Sequence, residues 1–283
     1  MVRFLTKAGT VEQHLLTLVR YCGIQVQNNI APVSLSRTLQ EKWIVRNGSA
    51  RDGLPPKMEE YDLLADLGFY SDSVVPLRRK NGEEIIFDRR ILVLGTTHLP
   101  TARSRIEFLD HQYSKIPSVP EIHLLTSRRP ISKETVIETS ETFFDKSLQT
   151  INEFHEDTFM EFVSRKLMSH KTCMFTPIVS EGADVGDDRA YANTGDTILT
   201  WQRKSAVVKG NFLIFSSQPT LGYQLLLCKR LLHNLCPDVR LYGIGPAAHP
   251  LIPMKYFLDV IARQLFEEIQ YRDCLGTQTT SAK

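Results

Sequence analysis

The residues of this chain best suited to chemistry stand just behind short apolar runs. Gly95-Thr96-Thr97-His98 follows RILVL, Thr126-Ser127-Arg128-Arg129 follows EIHLL, and Ser216-Ser217-Gln218-Pro219-Thr220 follows NFLIF, while Gly243-Ile244-Gly245-Pro246 ends the run VRLYGIGP. Small residues let backbone N–H groups approach a ligand, and hydroxyls and amides supply donors and acceptors. An arginine such as Arg128 fits a phosphate or carboxylate with its planar fork. The chemistry expected of Gly95, Thr96, Thr97, Ser216, Ser217 and Gln218 is therefore the binding of an anionic or polar ligand.

Structural roles compete with these. Thr220 can cap the helix that follows it, and Arg128-Arg129 can be a solvated turn before Pro130. His98 alone of the eight histidines falls in such a stretch; the others are dispersed without metal-ligand spacing. Glu156 begins a helical stretch, where a carboxylate either complements the helix dipole or serves as a pocket acid. Glu181, Asp184, Asp187 and Asp188 have the composition of a hard-cation site but lack the calcium-loop spacing, so they read as a solvated insertion. Neither GxGxxG, a P-loop nor GxSxG is present.

These stretches need a scaffold that gathers the ends of strands. Five apolar runs read as strands: Arg90–Gly95, Glu121–Thr126, Thr172–Val179, Asn211–Phe215 and Val239–Gly245. Helical periods separate them. Ala102, Ile106, Leu109 and Tyr113 share one stripe, and so do Phe159, Phe162, Val163 and Leu167. Leu221, Leu225, Cys228, Leu232 and Leu235 form a third. Such alternation predicts an α/β, three-layer, Rossmann-like fold with a mostly parallel sheet. Its ligand loops would lie beyond the carboxyl ends of the strands.

Residues 1–88 read differently, as helices near Val11–Tyr21, Leu35–Trp43 and Lys57–Leu67 with no strand. The organisation expected is an N-terminal helical segment at 1–88, a Rossmann-like domain at 89–275 ending in a helix from Met254 to Tyr271, and a flexible tail at 276–283.

A formal charge of +2 over 283 residues gives no reason to expect nucleic acid as a partner. Five cysteines without a CxxC pair favour free thiols in a reducing compartment. No apolar run approaches the roughly 18–20 residues of a membrane span, and Lys7, Glu12 and His14 interrupt what would be a signal-peptide core. A cytoplasmic location is the expectation.

The stretch RILVLGTTHLPTARSRI resembles the opening strand, small-residue loop and helix of the Rossmann-like domain-of-unknown-function family that includes YdcF, SanA and ElyC. ANTGDT (Ala192–Thr197) resembles that family's Asn-Thr-x-Glu-Asn signature. Asn193 and Thr194 agree with it, while Asp196 and Thr197 stand where the family has Glu and Asn. NFLIFSSQPTLGYQLLLCKRLL resembles the family's next strand-loop-helix, and MKYFLDVIARQLFEEIQYRD its last helix. Glu156 falls where the family often has a helix-starting Glu, and Glu181 where it has an acid after the third strand. The likeness spans about Arg90 to Asp273, and the lack of membrane spans puts the chain nearest the YdcF-like branch.

What the resemblance implies is a pocket at the strand-end loops for a nucleotide-like ligand such as S-adenosylmethionine. Joined to the residue reading, it makes Glu156, Asn193 and Asp196 the groups that would hold polar atoms or a proton. Gly95, Thr96, Thr97, His98, Arg128, Thr194, Ser216, Ser217 and Gln218 would be the lining. Transferase or hydrolase chemistry is the enzymatic option. The alternative is a non-catalytic sensor or interaction module with a vestigial pocket.

Overall fold

The computed structural model describes residues 3–44, 53–74, 83–113, 121–150, 154–168, 173–181 and 192–280. In chain order the elements are α1 (Gln13–Tyr21), α2 (Pro32–Trp43), α3 (Met58–Asp66), β1 (Arg90–Leu94), α4 (Leu99–Tyr113) and β2 (Glu121–Ser127). Then come α5 (Lys133–Thr142), α6 (Glu156–Leu167), β3 (Met174–Ser180), α7 (Thr194–Ser205) and β4 (Lys209–Phe215), and last α8 (Leu221–Leu235), β5 (Asp238–Ile244) and α9 (Met254–Thr280). A short 3-10 turn at Lys146–Thr150 lies between α5 and α6, and α9 continues past Tyr271 to Thr280.

All five strands are parallel, in the order β3-β2-β1-β4-β5. Ile91 pairs with both Ile122 and Leu213, so the period-2 alternation of each strand falls on the same side of its neighbours. Ile91, Val93, Ile122, Leu124, Leu213 and Phe215 share a core with Ala102, Ile106 and Leu109 of α4 and Phe159 and Val163 of α6. The opposite face carries Leu92, Leu94, Phe212 and Ile214, and there Trp201 of α7 meets Phe212 edge-on with ring centroids 5.1 Å apart. Helix, sheet and helix make three layers, and the fold is α/β and Rossmann-like.

Pro177 sits within β3, paired in register with Leu124. A proline removes one ladder donor, which a strand at the edge of the sheet tolerates. In α8, Leu221, Leu225, Cys228 and Leu232 are buried as their spacing requires, but Leu235 is 58% exposed because it is the last residue of the helix.

The chain divides into two compact units that alternate along the sequence. One comprises Met1–Val74, Gln218–His233 and Pro246–Lys283; the other comprises Val75–Ser217 and Asn234–Gly245 and holds the sheet. In the first, Leu15, Leu16, Leu18 and Val19 of α1, Leu35 and Leu39 of α2, and Phe257, Ile261 and Leu265 of α9 share one core. Glu268 of α9 fastens the chain start by accepting the N–H groups of Phe4 (2.8 Å) and Leu5 (3.3 Å). No helix among the described residues is long and apolar enough to cross a membrane.

Candidate functional site at the strand exits

In this strand order the chain winds outward from β1 through β2 to β3, then returns to the other side of β1 with β4. The exits of β1 and β4 therefore flank the topological switch point, where open α/β sheets leave a crevice. Gly95–His98 and Ser216–Ser217 stand at those two exits.

Gly95 donates its N–H to Leu125 O at 2.8 Å, tying the exit of β1 to β2. A Cβ at this position would lie 2.8 Å from Glu156 Oε1 and 2.9 Å from Leu125 O, so close approach is what requires glycine here. Glu156 is the first residue of α6 and is buried. Its Oε2 accepts the backbone N–H of Ser127 at 2.9 Å and also the Ser127 hydroxyl, and its own N–H donates to Arg129 O at 2.9 Å. The carboxylate thus complements the α6 dipole and lies against the β1 and β2 exits at once.

Arg105, which the sequence reading did not single out, closes the other side. It is 3% exposed, and its Nη1 donates to Leu94 O (2.6 Å) and Gly95 O (2.9 Å) while Nε donates to Ser217 Oγ (3.2 Å). One guanidinium therefore joins the exits of β1 and β4. The signal was present: Arg105 is three residues after Ala102 and adjoins Ile106, on the inward stripe of α4, where a cation needs built-in partners.

Ser216 is fully buried and donates its N–H to Ile244 O at 3.1 Å. Gly245, at the exit of β5, packs so tightly on the Ser216 carbonyl that a Cβ there would collide with it. The Ser-Ser stretch is small because neighbouring strand exits converge on it.

Thr96, Thr97 and His98 are half-buried. His98 caps the start of α4, its carbonyl accepting from Ala102 N–H at 3.0 Å, and its Nδ1 lies 2.9 Å from Thr101 Oγ1. Arg128 is exposed. Asn193 and Asp196 meet in a reciprocal cap on α7: Asn193 Oδ1 accepts from the N–H of Gly195 (2.7 Å) and Asp196 (3.1 Å), and Asp196 Oδ2 accepts from Asn193 N–H (2.8 Å). Thr194, the first residue of α7, is half-buried and takes the Thr197 hydroxyl on its carbonyl at 3.0 Å. Gln218 belongs to the other compact unit, where it is buried and donates its N–H to Pro246 O at 3.0 Å.

Of the acidic stretch, Glu181 is exposed, and Asp184, Asp187 and Asp188 lie outside the described residues. Among the described residues no three His, Cys, Asp or Glu side chains gather as a metal ligand set. All five cysteines are free thiols. The chain matches no protein-family model, no curated protein and no solved structure in comparisons of sequence and fold.

Proposed function

We propose that the chain acts as a YdcF-like protein that binds a small anionic or nucleotide-like ligand at the exits of β1 and β4, with S-adenosylmethionine one candidate. The observation that carries this reading is the buried guanidinium of Arg105 between the two exits. Its positive charge at the switch point favours an anion. Glu156 supplies the buried carboxylate that a proton transfer would use, in transferase or hydrolase chemistry on the bound ligand.

A second reading, a non-catalytic sensor or interaction module, is favoured by one observation: the side chains of Asn193 and Asp196 each accept the other residue's backbone N–H in the α7 cap.

Thermal shift of the full chain against nucleotides, S-adenosylmethionine, sugar phosphates and divalent ions separates the two. Ligand binding to the native state raises Tm, with about 2.7 kcal/mol gained at one hundred times Kd. The ligand reading expects a stabiliser whose effect is reduced in Ser217→Ala and Glu156→Gln. A folded protein that none of these compounds stabilises would shift the reading to the interaction module.

A further inference from the structure

A cavity of about 750 Å³ opens at the other end of the same sheet, by the amino ends of β1 and β2, with Asp88, Arg89, Arg90, Glu121, His123 and Lys204 among its lining. The function proposed above makes no use of it. Its five charged groups are not equivalent. Arg90 grips Asp88 with a fork, Nε to Oδ1 at 2.7 Å and Nη2 to Oδ2 at 2.8 Å, and lies 5.3 Å over the Phe212 ring. That pair neutralises itself.

Glu121 is fixed from below. Its Oε1 lies 2.8 Å from His123 Nε2, and His123 Nδ1 lies 3.1 Å from the indole Nε1 of Trp201. An indole N–H only donates, so Nδ1 must accept and the imidazole proton sits on Nε2, donated to Glu121. Trp201 and His123 are both buried. An apolar residue at position 123 would fill this layer more cheaply; the polar chain instead sets the orientation of one carboxylate at the cavity wall.

That carboxylate in turn faces Arg89. Glu121 Oε2 is 4.0 Å from Arg89 Nη2, an ion pair outside hydrogen-bond reach, and the Arg89 side chain is 73% exposed. Lys204, at the end of α7, spends one of its three donors on Val179 O at 3.3 Å. Two cations with donors to offer therefore border the cavity against one carboxylate. The end of α7 contributes about half a negative charge, less than the two cations supply.

We propose that this cavity is a second ligand site, taking a small molecule with a phosphoryl or carboxylate group on Arg89 and Lys204. Trp201 and His123 orient the Glu121 carboxylate that Arg89 faces at the cavity wall. The volume suits a small-molecule site, and the proposal stands independently of the site at the carboxyl ends.

The sequence has two tryptophans, so Trp43→Phe leaves Trp201 as the single reporter at the base of the relay. Inorganic pyrophosphate and citrate, titrated separately, test the phosphoryl and carboxylate arms, with calorimetry on the unsubstituted chain as the parallel measurement. At least one should give a saturable change in Trp201 emission. Arg89→Gln with Lys204→Gln should weaken it at least tenfold while leaving Tm close to that of the parent, and Glu121→Gln, which removes the opposing carboxylate, should strengthen it. Glu156→Gln, at the far end of the sheet, should leave it unchanged. Absence of saturable binding by both methods, or binding that survives the double substitution, would overturn the proposal.

Discussion

Glu156 holds Ser127 with one carboxylate oxygen and rests the other against Gly95, 2.8 Å from where a Cβ at that glycine would stand. Two exit-region residues are thereby fixed by one buried acid. Gly95→Ala must push Glu156 aside and also meets the Leu125 carbonyl at 2.9 Å. Overpacking of this kind costs about 1–3 kcal/mol, measurable by urea denaturation. Glu156→Asp should recover part of that loss in the double variant, because it relieves the side-chain contact and leaves the backbone one. Strict additivity would show that the two residues do not press on each other.

Asn193 and Asp196 satisfy each other's backbone N–H groups at the start of α7. Asn193→Ala should destabilise the fold by about 1 kcal/mol, the ordinary cost of losing an N-cap, whereas Asn193→Asp should cost much less. A ligand role would be read separately, as a loss of binding in Asn193→Asp at unchanged Tm. Thermal denaturation with and without a stabilising ligand resolves the two.

The strand exits were legible because each apolar run is short and ends on glycine or hydroxyl residues; Gly95 and Ser216 stand at the predicted places. The cap on α7 was not expected: Asn193 and Asp196 stood as ligand groups on the family signature, although their spacing is that of a capping box. Arg105 was harder. Its partners are carbonyls and a serine 112 positions away, which no local window contains. The Trp201–His123–Glu121 relay escaped for the same reason: Trp201 and His123 are 78 residues apart and meet only because α7 covers β2. Sequence spacing reports which face of an element a residue shares, and it says little about what the facing element brings.

Gly245 makes a further test of convergence at the exits. A methyl group there would collide with the Ser216 carbonyl, and backbone cannot rotate aside as a side chain can. Gly245→Ala should therefore cost more than Gly95→Ala, roughly 3 kcal/mol. Chemical denaturation of the two variants side by side gives the ranking. A smaller effect at Gly245 would mean that the exits of β4 and β5 separate without strain.

Stability above neutral pH should turn on groups whose titration burial shifts in opposite senses. Burial pushes the half-buried Lys229 ammonium down from 10.5 to about 8, and Arg3 adds to the shift. Between those values the unfolded chain holds a proton that the folded chain has lost, so folding strengthens as pH rises through this window. Burial, with Glu60 nearby, pushes the Cys22 thiol up from 9.0 to about 11. There the folded chain keeps a proton that the unfolded chain has lost, so its contribution fades between 9 and 11. Cys228, also pushed up by burial, works in the same direction. The expected profile climbs from about pH 8 to 9 and then flattens or turns down. Lys229→Met should be more stable than the parent at pH 7, by about 1–2 kcal/mol, with the gap closing toward pH 10. Cys22→Ala should soften the fall above pH 9. Urea denaturation at half-unit steps from pH 7 to 10 checks both, and a Lys229→Met gap that does not shrink with pH would show that the lysine stays ionised in the folded chain up to pH 10.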